Sequence, residues 1–383
     1  MFLEKEGKLI YSYDGETVCI EAWGKDALRV RATKNRSFTG RDWALEAKDA
    51  HAGEVEIFED PSAKGGAFAN MYEGTDTSYG KITNGKLHAV IDSGSVITFY
   101  HEDGRVLLKE HFRRLRDEES MPLNIMGREY SNGVGDNFRI VTRFVARKGE
   151  KIFGMGQYQQ HELDLKGCML ELAQRNSQVS VPFYLSSIGY GFLWNNPGVG
   201  QVMFANNGTE WVTESGKEID YLVIAGDTPA EIEENYMTLT GKPPMMPEYG
   251  MGFWQCKLRY WNQEQLLSVA RKYKELGVPL DVIVVDFFHW TKQGEFKFDP
   301  KYWPDVPGMC RELKEMGIQV VVSVWPTVDI YSENFEEMKE KGYLVRTEHG
   351  VPLTMLCGGN EVFFDATNPD ARTYVWEKIK KNY

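Results

Sequence analysis

The pattern of the sequence changes once, at residues 228–250, and the two sides of this change favour different folds. On the N-terminal side, short runs of strand-forming residues alternate with Gly, Asn and Asp-Gly turns. A two-residue alternation between such turns is typical of an antiparallel β-sandwich. On the C-terminal side, near-continuous apolar strands are joined by helical segments, which implies parallel pairing with both sheet faces covered. We therefore predict two domains of different fold class.

Helix-capping and Pro residues set the predicted domain boundaries. Thr228 can cap a short helix that has Pro229 at its first position, and Gly241 can end that helix. The prolines at 243, 244 and 247 then mark a boundary. The sequence thus predicts three parts: a β-sandwich domain at 1–227, a linker helix and Pro-rich boundary at 228–247, and an α/β domain at 248–383.

The α/β domain contains three apolar runs, and helical sequence follows each of them. We predict its strands at 251–256, 281–287 and 318–326. Three βα units on one side of a sandwich would form part of a barrel. A small open doubly wound sheet is the alternative.

Composition and charge exclude several classes of function. The formal net charge of −12 makes nucleic-acid backbones and anionic lipid surfaces poor partners. No stretch approaches 18 uninterrupted apolar residues and the N-terminus is charged from residue 4, so neither a membrane span nor a secretory signal is predicted. The seven histidines are dispersed, which argues against a metal site. We expect a cytoplasmic setting because the cysteines form no CxxC pair and are scattered, at 19, 168, 256, 310 and 357.

Asp286 is the main candidate for a functional residue. It ends the apolar run DVIVVD, and ligands of parallel α/β folds gather at the carboxyl ends of the strands, where 256–257 and 323–325 also fall. A carboxylate can accept two ring hydroxyls of a sugar, while aromatic faces cover the apolar side of the pyranose. The alternative is structural, with Asp286 capping a loop or pairing with a nearby cation, namely Lys257, Arg259 or Lys292.

The residues that follow Asp286 allow two interpretations. Phe287, Phe288 and Trp290 either belong to the core or line a cleft beside the carboxylate. His289 is either a general base or a structural histidine, and no carboxylate partner for it is evident. The residues alone leave both choices open.

Eight segments between residues 154 and 371 carry a family resemblance. They are GMGQYQQH (154–161), LAQRN (172–176), PFYLSSIGYGFLWNNP (182–197), GFWQC (252–256), VVDFFHW (284–290), FKFDPKYWPDVPGM (296–309), VSVWP (322–326) and FFDATNPDA (363–371). In order and spacing they resemble glycoside hydrolase family 31, the retaining α-glycosidases that include α-xylosidases and α-glucosidases. The LAQRN and DFFHW forms look more like the α-xylosidase branch. The first 150 residues fit the family's N-terminal sandwich more loosely.

The resemblance implies a fold, a reaction and a set of pocket residues. The fold is an N-terminal antiparallel β-sandwich followed by the first three βα units of a (β/α)8 TIM barrel, without metal or organic cofactor. The reaction is hydrolysis of a terminal α-linked xylose or glucose from an oligosaccharide or α-glycoside, with net retention. Asp286 matches the strand-2 aspartate that binds sugar hydroxyls in subsite −1. The other matched pocket positions are Ser323 and Trp325 after strand 3, Leu258 and Arg259 after strand 1, and Asn176 on a sandwich loop where many members carry Asp.

We add Phe287 and His289, which adjoin Asp286, to the candidate substrate-binding residues. The two catalytic carboxyl groups are expected outside these 383 residues. A retaining glycosidase needs a nucleophile and an acid/base roughly 5–5.5 Å apart, and the resemblance places them on strands 4 and 6. Only 136 residues follow Pro247, whereas a whole barrel takes roughly 250. We therefore expect this polypeptide alone not to hydrolyse glycosides.

Open strand edges are the structural consequence of this expectation. The first and third barrel strands would be edges with apolar faces that need a cover. Three explanations are open: a truncated product, one half of a split enzyme completed by a second chain, or two copies paired through these edges. A rival function is that of a non-catalytic carbohydrate-binding or scaffold protein derived from such an enzyme.

Overall fold

The computed structural model describes residues 1–46, 49–59, 78–111, 126–347, 349–354 and 360–383. Cys357 lies outside the described residues. The chain divides into two compact units, Met1–Pro243 and Pro244–Tyr383.

The first unit is built from antiparallel β-strands. Its strands in chain order are β1 (Phe2–Lys5), β2 (Lys8–Tyr13), β3 (Glu16–Trp23), β4 (Ala27–Thr33), β5 (Ala50–His51), β6 (Glu54–Glu59), β7 (Ser78–Asn84), β8 (Leu87–Ile91), β9 (Ile97–His101), β10 (Val106–Lys109), β11 (Arg128–Asn132), β12 (Phe138–Phe144), β13 (Ile152–Gln157), β14 (Met169–Leu172), β15 (Val179–Ser186), β16 (Tyr190–Trp194), β17 (Gly200–Ala205), β18 (Gly208–Gly216) and β19 (Ile219–Ala225). They form a large sheet of order β1-β2-β3-β4-β19-β16-β15-β13, in which β5 also pairs with β3, and two smaller sheets of order β10-β9-β8-β7-β6 and β11-β12-β18-β17-β14.

One face of the large sheet packs against both smaller sheets. Tyr221 of β19 shows this directly, because its ring contacts Phe99 of one small sheet at 6.2 Å and Phe144 of the other at 5.4 Å. Ile20 of the large sheet and Trp211 of β18 belong to the same buried cluster. The unit is thus the antiparallel β-sandwich that the two-residue alternation predicted.

The opposite face of the large sheet is covered by helix α1 (Pro229–Thr240). Ile232 and Leu239 of this helix form a second apolar cluster with Leu222 and Ile224 of β19. Because both faces are covered, every residue of β19 is buried. The helix begins as predicted, with the Thr228 hydroxyl accepting a hydrogen bond from the backbone N–H of Glu231 at 3.2 Å.

The second unit contains a parallel sheet of three strands. These are β20 (Trp254–Gln255), β21 (Val282–Val285) and β22 (Gln319–Val322), with β21 in the middle. Helix α2 (Gln263–Glu275) connects the first two strands and helix α3 (Val306–Glu315) the second pair. Leu266, Ile283 and Leu313 are fully buried in the core between this sheet and these helices. Among the described residues β20 and β22 form the edges, and they are less buried than β21.

The first predicted strand of this unit, at 251–256, was too long. Residues Glu248–Met251 form a 3-10 helix instead, in which the Gly250 N–H donates to the carbonyl of Pro247 at 2.9 Å. The strand predicted at 318–326 also ends early, since β22 stops at Val322.

A smaller substructure follows β22. It contains β23 (Thr327–Asp329), α4 (Phe335–Glu340), β24 (Glu361–Phe363) and α5 (Pro369–Asn382). The two strands pair antiparallel, and Val328, Phe335, Val362 and Val375 share a separate apolar core. The sequence analysis predicted helical sequence after the third apolar run but not this strand pair.

Candidate functional site

The parallel register brings Asp286 and Ser323 to the same edge of the sheet. Val285 of β21 is opposite Val322 of β22, and the Ser323 N–H donates to the Val285 carbonyl at 2.9 Å. The residues that directly follow the two strands are therefore neighbours at the carboxyl end. This is the edge at which parallel α/β folds bind ligands.

Among the described residues the Asp286 carboxylate has two partners, and both are weak or local. Oδ1 accepts the backbone N–H of Phe287 at 2.8 Å, and the Cys256 thiol is directed at Oδ2 with a Sγ–O distance of 3.7 Å. Desolvation and the neighbouring carboxylate raise the pKa of Cys256, so the sulfur stays protonated and can donate. A thiol is a poor donor, and Oδ2 therefore keeps most of its capacity to accept hydrogen bonds.

The basic residues near Asp286 do not neutralise it. None of the ion pairs formed by the described residues includes Asp286. Arg259 donates instead to the carbonyl of Phe288 at 3.0 Å, and the Lys292 ammonium lies 5.9 Å from the centre of the Tyr331 ring. Pairing with Lys257, Arg259 or Lys292 is therefore absent among the described residues, whereas the capping form of the structural alternative is present in part, because Oδ1 accepts the Phe287 N–H.

Aromatic rings adjoin the carboxylate. The Phe287 ring stacks on Trp325 at 5.2 Å with an angle of 13° between the ring planes, and it contacts Phe288 at 4.0 Å. Phe287 and Trp325 are half-buried, whereas Phe288 is exposed and Trp290 is buried. The four rings therefore divide between the core and a surface beside Asp286.

His289 lies inside the protein rather than on this surface. It is only 2% exposed, with Nδ1 at 3.1 Å from the Asp286 carbonyl and Nε2 at 2.7 Å from the Tyr383 hydroxyl. A carbonyl only accepts, so Nδ1 carries the proton and Nε2 accepts from the hydroxyl. Burial lowers the pKa of His289 to about 4, although the contact with Asp286 opposes this shift. Both ring nitrogens are therefore engaged by the protein, and the imidazole is neutral at pH 7.

Comparisons with known proteins identify the family. Residues 243–383 match the family model described as "Glycosyl hydrolases family 31 TIM-barrel domain", and residues 17–202 match "Glycosyl hydrolase 31 N-terminal galactose mutarotase-like domain". A relative in Pseudescherichia vulneris, "Uncharacterized family 31 glucosidase ORF2", is 43% identical over 100% of this chain and 71% of its own length. The chain belongs to glycoside hydrolase family 31.

Other relatives of this family 31 chain are described as α-xylosidases. "Alpha-xylosidase A" of Aspergillus niger is 30% identical across 96% of this chain and 50% of its own length. A crystal structure of a family 31 α-xylosidase from a soil metagenome, complexed with xylose, is 47% identical with a TM-score of 0.88, and the match covers 100% of this chain and 56% of that one. The chain thus spans between half and about seven-tenths of the length of these relatives. These findings confirm the resemblance and a fold that combines the N-terminal sandwich with part of a TIM barrel.

Asn176, the predicted pocket residue of the family 31 sandwich, lies at the tip of a turn in the first unit. The Gln178 N–H donates to the Arg175 carbonyl at 3.1 Å, and Ser177 has a left-handed φ of +64°. The Gln174 side chain braces the base of the turn by bonding both the N–H and the carbonyl of Ser180. Asn176 itself is exposed, and none of the hydrogen bonds among the described residues uses its side chain.

Two residues of this region were not among the predicted site residues. Cys256 contacts the key carboxylate, and Trp261 lies beside Arg259 with a distance of 4.1 Å from the guanidinium carbon to the ring centre. Both belong to the segment CKLRYW after β20, in which the sequence analysis placed 256–257 at the ligand-binding edge but selected Leu258 and Arg259 as the pocket residues. Leu258 is strongly exposed and Arg259 half-buried.

Neither a metal-ligand cluster nor a membrane-spanning helix is found among the described residues. No three His, Cys, Asp or Glu side chains of the described ranges are grouped to ligate a metal ion. None of the helices within those ranges has the length and apolar character needed to cross a bilayer.

Proposed function

We propose that these 383 residues form the sugar-binding part of a retaining α-glycosidase that releases terminal α-linked xylose or glucose. The observation that supports this best is the Asp286 carboxylate, which is half-buried at a strand end and has no basic partner among the described residues. A carboxylate in such a position normally acquires a cation or is available to a ligand. The names of the relatives, α-xylosidase and glucosidase, supply the class of ligand.

The proposed binding mode uses the groups at the sheet edge. Asp286 Oδ2 accepts one or two hydroxyl groups of the terminal sugar, and the stacked rings of Phe287 and Trp325 cover its apolar face. Ser323, which follows the neighbouring strand at the same edge, is proposed to supply a hydroxyl to the sugar. His289 and Tyr383 hold the backbone after Asp286 in place and do not touch the sugar. Leu258 and Asn176 remain proposed pocket residues for the terminal sugar, and Arg259 remains a proposed substrate-binding residue.

We further propose that this polypeptide alone binds the sugar without cleaving the glycoside. Two other aspartates of the second unit, Asp329 and Asp365, stabilise their own loops. Asp329 Oδ1 accepts the N–H of Tyr331 at 2.8 Å, and Asp365 Oδ1 accepts the N–H and hydroxyl of Thr367. Neither aspartate is therefore free to serve as one of the two catalytic carboxyl groups.

Calorimetric titration of the polypeptide with D-xylose and D-glucose tests the binding proposal. We expect measurable binding of at least one sugar, and Asp286→Ala abolishes it because the hydroxyl groups lose a charged acceptor. Asp329→Ala is the matched control, since it removes a loop aspartate outside the pocket and should leave binding intact. Binding that survives in Asp286→Ala would refute the assignment.

An activity assay tests the second part of the proposal. Incubation of the polypeptide with 4-nitrophenyl α-D-xyloside and α-D-glucoside should release no nitrophenol. Turnover by the purified polypeptide that a nucleophile-directed inhibitor abolishes would show that the catalytic pair lies within these residues after all.

We also infer that β20, β21 and β22 begin three consecutive βα units, and that the two edge strands accept a further strand. Two observations support this inference, namely the parallel register on both sides of β21 and the partial exposure of the two edge strands. A second chain or a second copy of this chain could cover them. Native mass spectrometry of the chain, alone across a concentration series and together with its neighbouring gene product, should show a dimer or a complex, and a strict monomer in both samples would contradict this inference.

A further inference from the structure

A row of flat groups runs along the carboxyl edge of the parallel sheet. It begins with the half-buried Trp325, continues through Phe287 at 5.2 Å, and passes to Phe288 at 4.0 Å. The Arg259 guanidinium follows, with its central carbon 4.9 Å from the centre of the Phe288 ring. Trp261 ends the row, 4.1 Å from the same carbon.

The guanidinium at the outer end of the row is fixed in position. Arg259 Nη1 donates to the Phe288 carbonyl at 3.0 Å while the guanidinium lies against the rings of Phe288 and Trp261. Arg has five N–H donors in one plane, so most of them stay available after this single hydrogen bond. A fixed Arg with free donors has lost its side-chain entropy before any ligand arrives, which favours binding.

The outer end of the row is also the solvent-exposed end. Phe288 is 51% exposed and Trp261 60% exposed, although large aromatic rings normally seek cover. Two such rings around a positioned Arg combine apolar faces with hydrogen-bond donors. This combination suits a sugar ring or an aryl group, because both present a flat apolar face with polar groups at the rim.

We propose that Trp261, Arg259 and Phe288 bind the leaving-group side of the glycoside, beyond the terminal sugar held at Asp286. This inference rests on the proposed function and extends it. Phe287 adjoins Asp286 in sequence and lies with Trp325 at the inner end of the row, so the terminal sugar occupies that end. The rest of the glycoside then lies toward the outer end, over Phe288, Arg259 and Trp261.

The test compares a ligand that has a leaving group with one that lacks it. Titrations of the full 383-residue chain use 4-nitrophenyl α-D-xyloside and D-xylose, or the corresponding glucose pair if glucose is preferred. Trp261→Ala should weaken binding of the aryl glycoside about three- to tenfold, the range expected for loss of one aromatic contact. Its affinity for the free sugar should be unchanged. Arg259→Lys, which keeps the charge but loses the planar group, should give the same pattern with a smaller effect.

Trp376→Ala is the matched control. Trp376 lies on α5 in the same unit and is 59% exposed, so its removal deletes an equally exposed indole outside the row. This variant should bind both ligands like the wild type, and all variants should show unchanged melting temperatures.

The outcomes separate this inference from the function on which it rests. If Asp286→Ala abolishes binding of both ligands while Trp261→Ala affects neither, the sugar site stands and the leaving-group assignment is wrong. Equal losses for both ligands in Trp261→Ala would also overturn the assignment, because the row would then serve the terminal sugar. If neither ligand binds the wild type, the proposed function fails and the inference fails with it.

Discussion

Two carboxylates in the two units occupy the same kind of position and have opposite surroundings. Glu110 is the first residue after β10 of the sandwich, and Asp286 is the first residue after β21 of the parallel sheet. Glu110 is fully buried and binds the Arg128 guanidinium, the Tyr221 hydroxyl at 2.9 Å and the Ile97 N–H at 3.2 Å. Asp286 is half-buried, and its partners are one backbone N–H and one thiol.

This difference shows that the partners of a carboxylate at a strand end decide whether it stabilises the fold or is available to a ligand. In the sandwich, Arg128 of β11 joins all three sheets. It bonds Glu16 of β3 through Nε at 3.0 Å and through Nη2 at 2.9 Å. Its Nη1 contacts Glu110, the residue that follows β10 of the third sheet. Burial alone opposes the charge on Arg128, but the two carboxylates outweigh it and raise the pKa of Arg128 well above its ordinary value. Such a cluster holds a fold together, whereas Asp286 contributes a free acceptor.

Removal of the cation from the sandwich cluster should have the largest effect on stability. Arg128→Ala leaves Glu16 and Glu110 without their shared guanidinium, and breaking a buried pair in this way costs about 3–5 kcal/mol. Differential scanning calorimetry should show a much lower melting temperature for the sandwich transition.

Arg139→Ala is the control for this prediction. Arg139 lies on the neighbouring strand β12 and pairs with Glu214 at 3.3 Å on the exposed surface. Loss of such a pair costs about 1 kcal/mol or less. If the two variants melt alike, the buried cluster does not stabilise the sandwich in the way described.

The buried histidine next to Asp286 should make the second unit sensitive to acid. The folded state keeps His289 neutral down to a pKa of about 4, whereas the unfolded chain binds the proton near the ordinary value of 6.5. Stability that is fully present above pH 6.5 is therefore lost as the pH falls from 6.5 toward 4. The loss between pH 7 and pH 5 is ~2 kcal/mol for this one group.

Two measurements check the histidine prediction. An NMR titration should give the imidazole of His289 a pKa well below the ordinary histidine value. His289→Gln should remove the extra acid sensitivity of the second unit. A wild type and variant that lose stability in parallel over this pH range would show that His289 does not cause it.

These contacts also show how much of the structure the sequence could predict. Period-two alternation identified the sandwich, and the apolar runs around Val285 and Val322 identified parallel strands, because both patterns are local consequences of which faces are buried. The position of Asp286 followed from the end of its strand. The partners did not follow, since they come from distant segments: Tyr383 reaches His289 across 94 residues, and Cys256 reaches Asp286 across 30. The pair β23–β24 was missed for the same reason, because each strand has only three residues and pairs across a long connection.

Substitution of Asp286 should have the smallest effect on stability, and it distinguishes Asp286 from Glu110 most sharply. Asp286→Asn keeps an oxygen that can accept the Phe287 N–H and removes the charge that nothing in the described structure neutralises. We expect the free energy of unfolding to change by no more than about 0.5 kcal/mol, as for substitutions that touch no core, cap or buried pair. Sugar affinity should nevertheless fall at least tenfold, because hydrogen bonds to a charged acceptor are stronger than those to an amide. The Cys256 thiol at Oδ2 serves as an internal check, since Cys256→Ser should preserve both properties. A large loss of stability in Asp286→Asn would mean that its charge is part of the fold, as that of Glu110 is, and that the sugar site lies elsewhere.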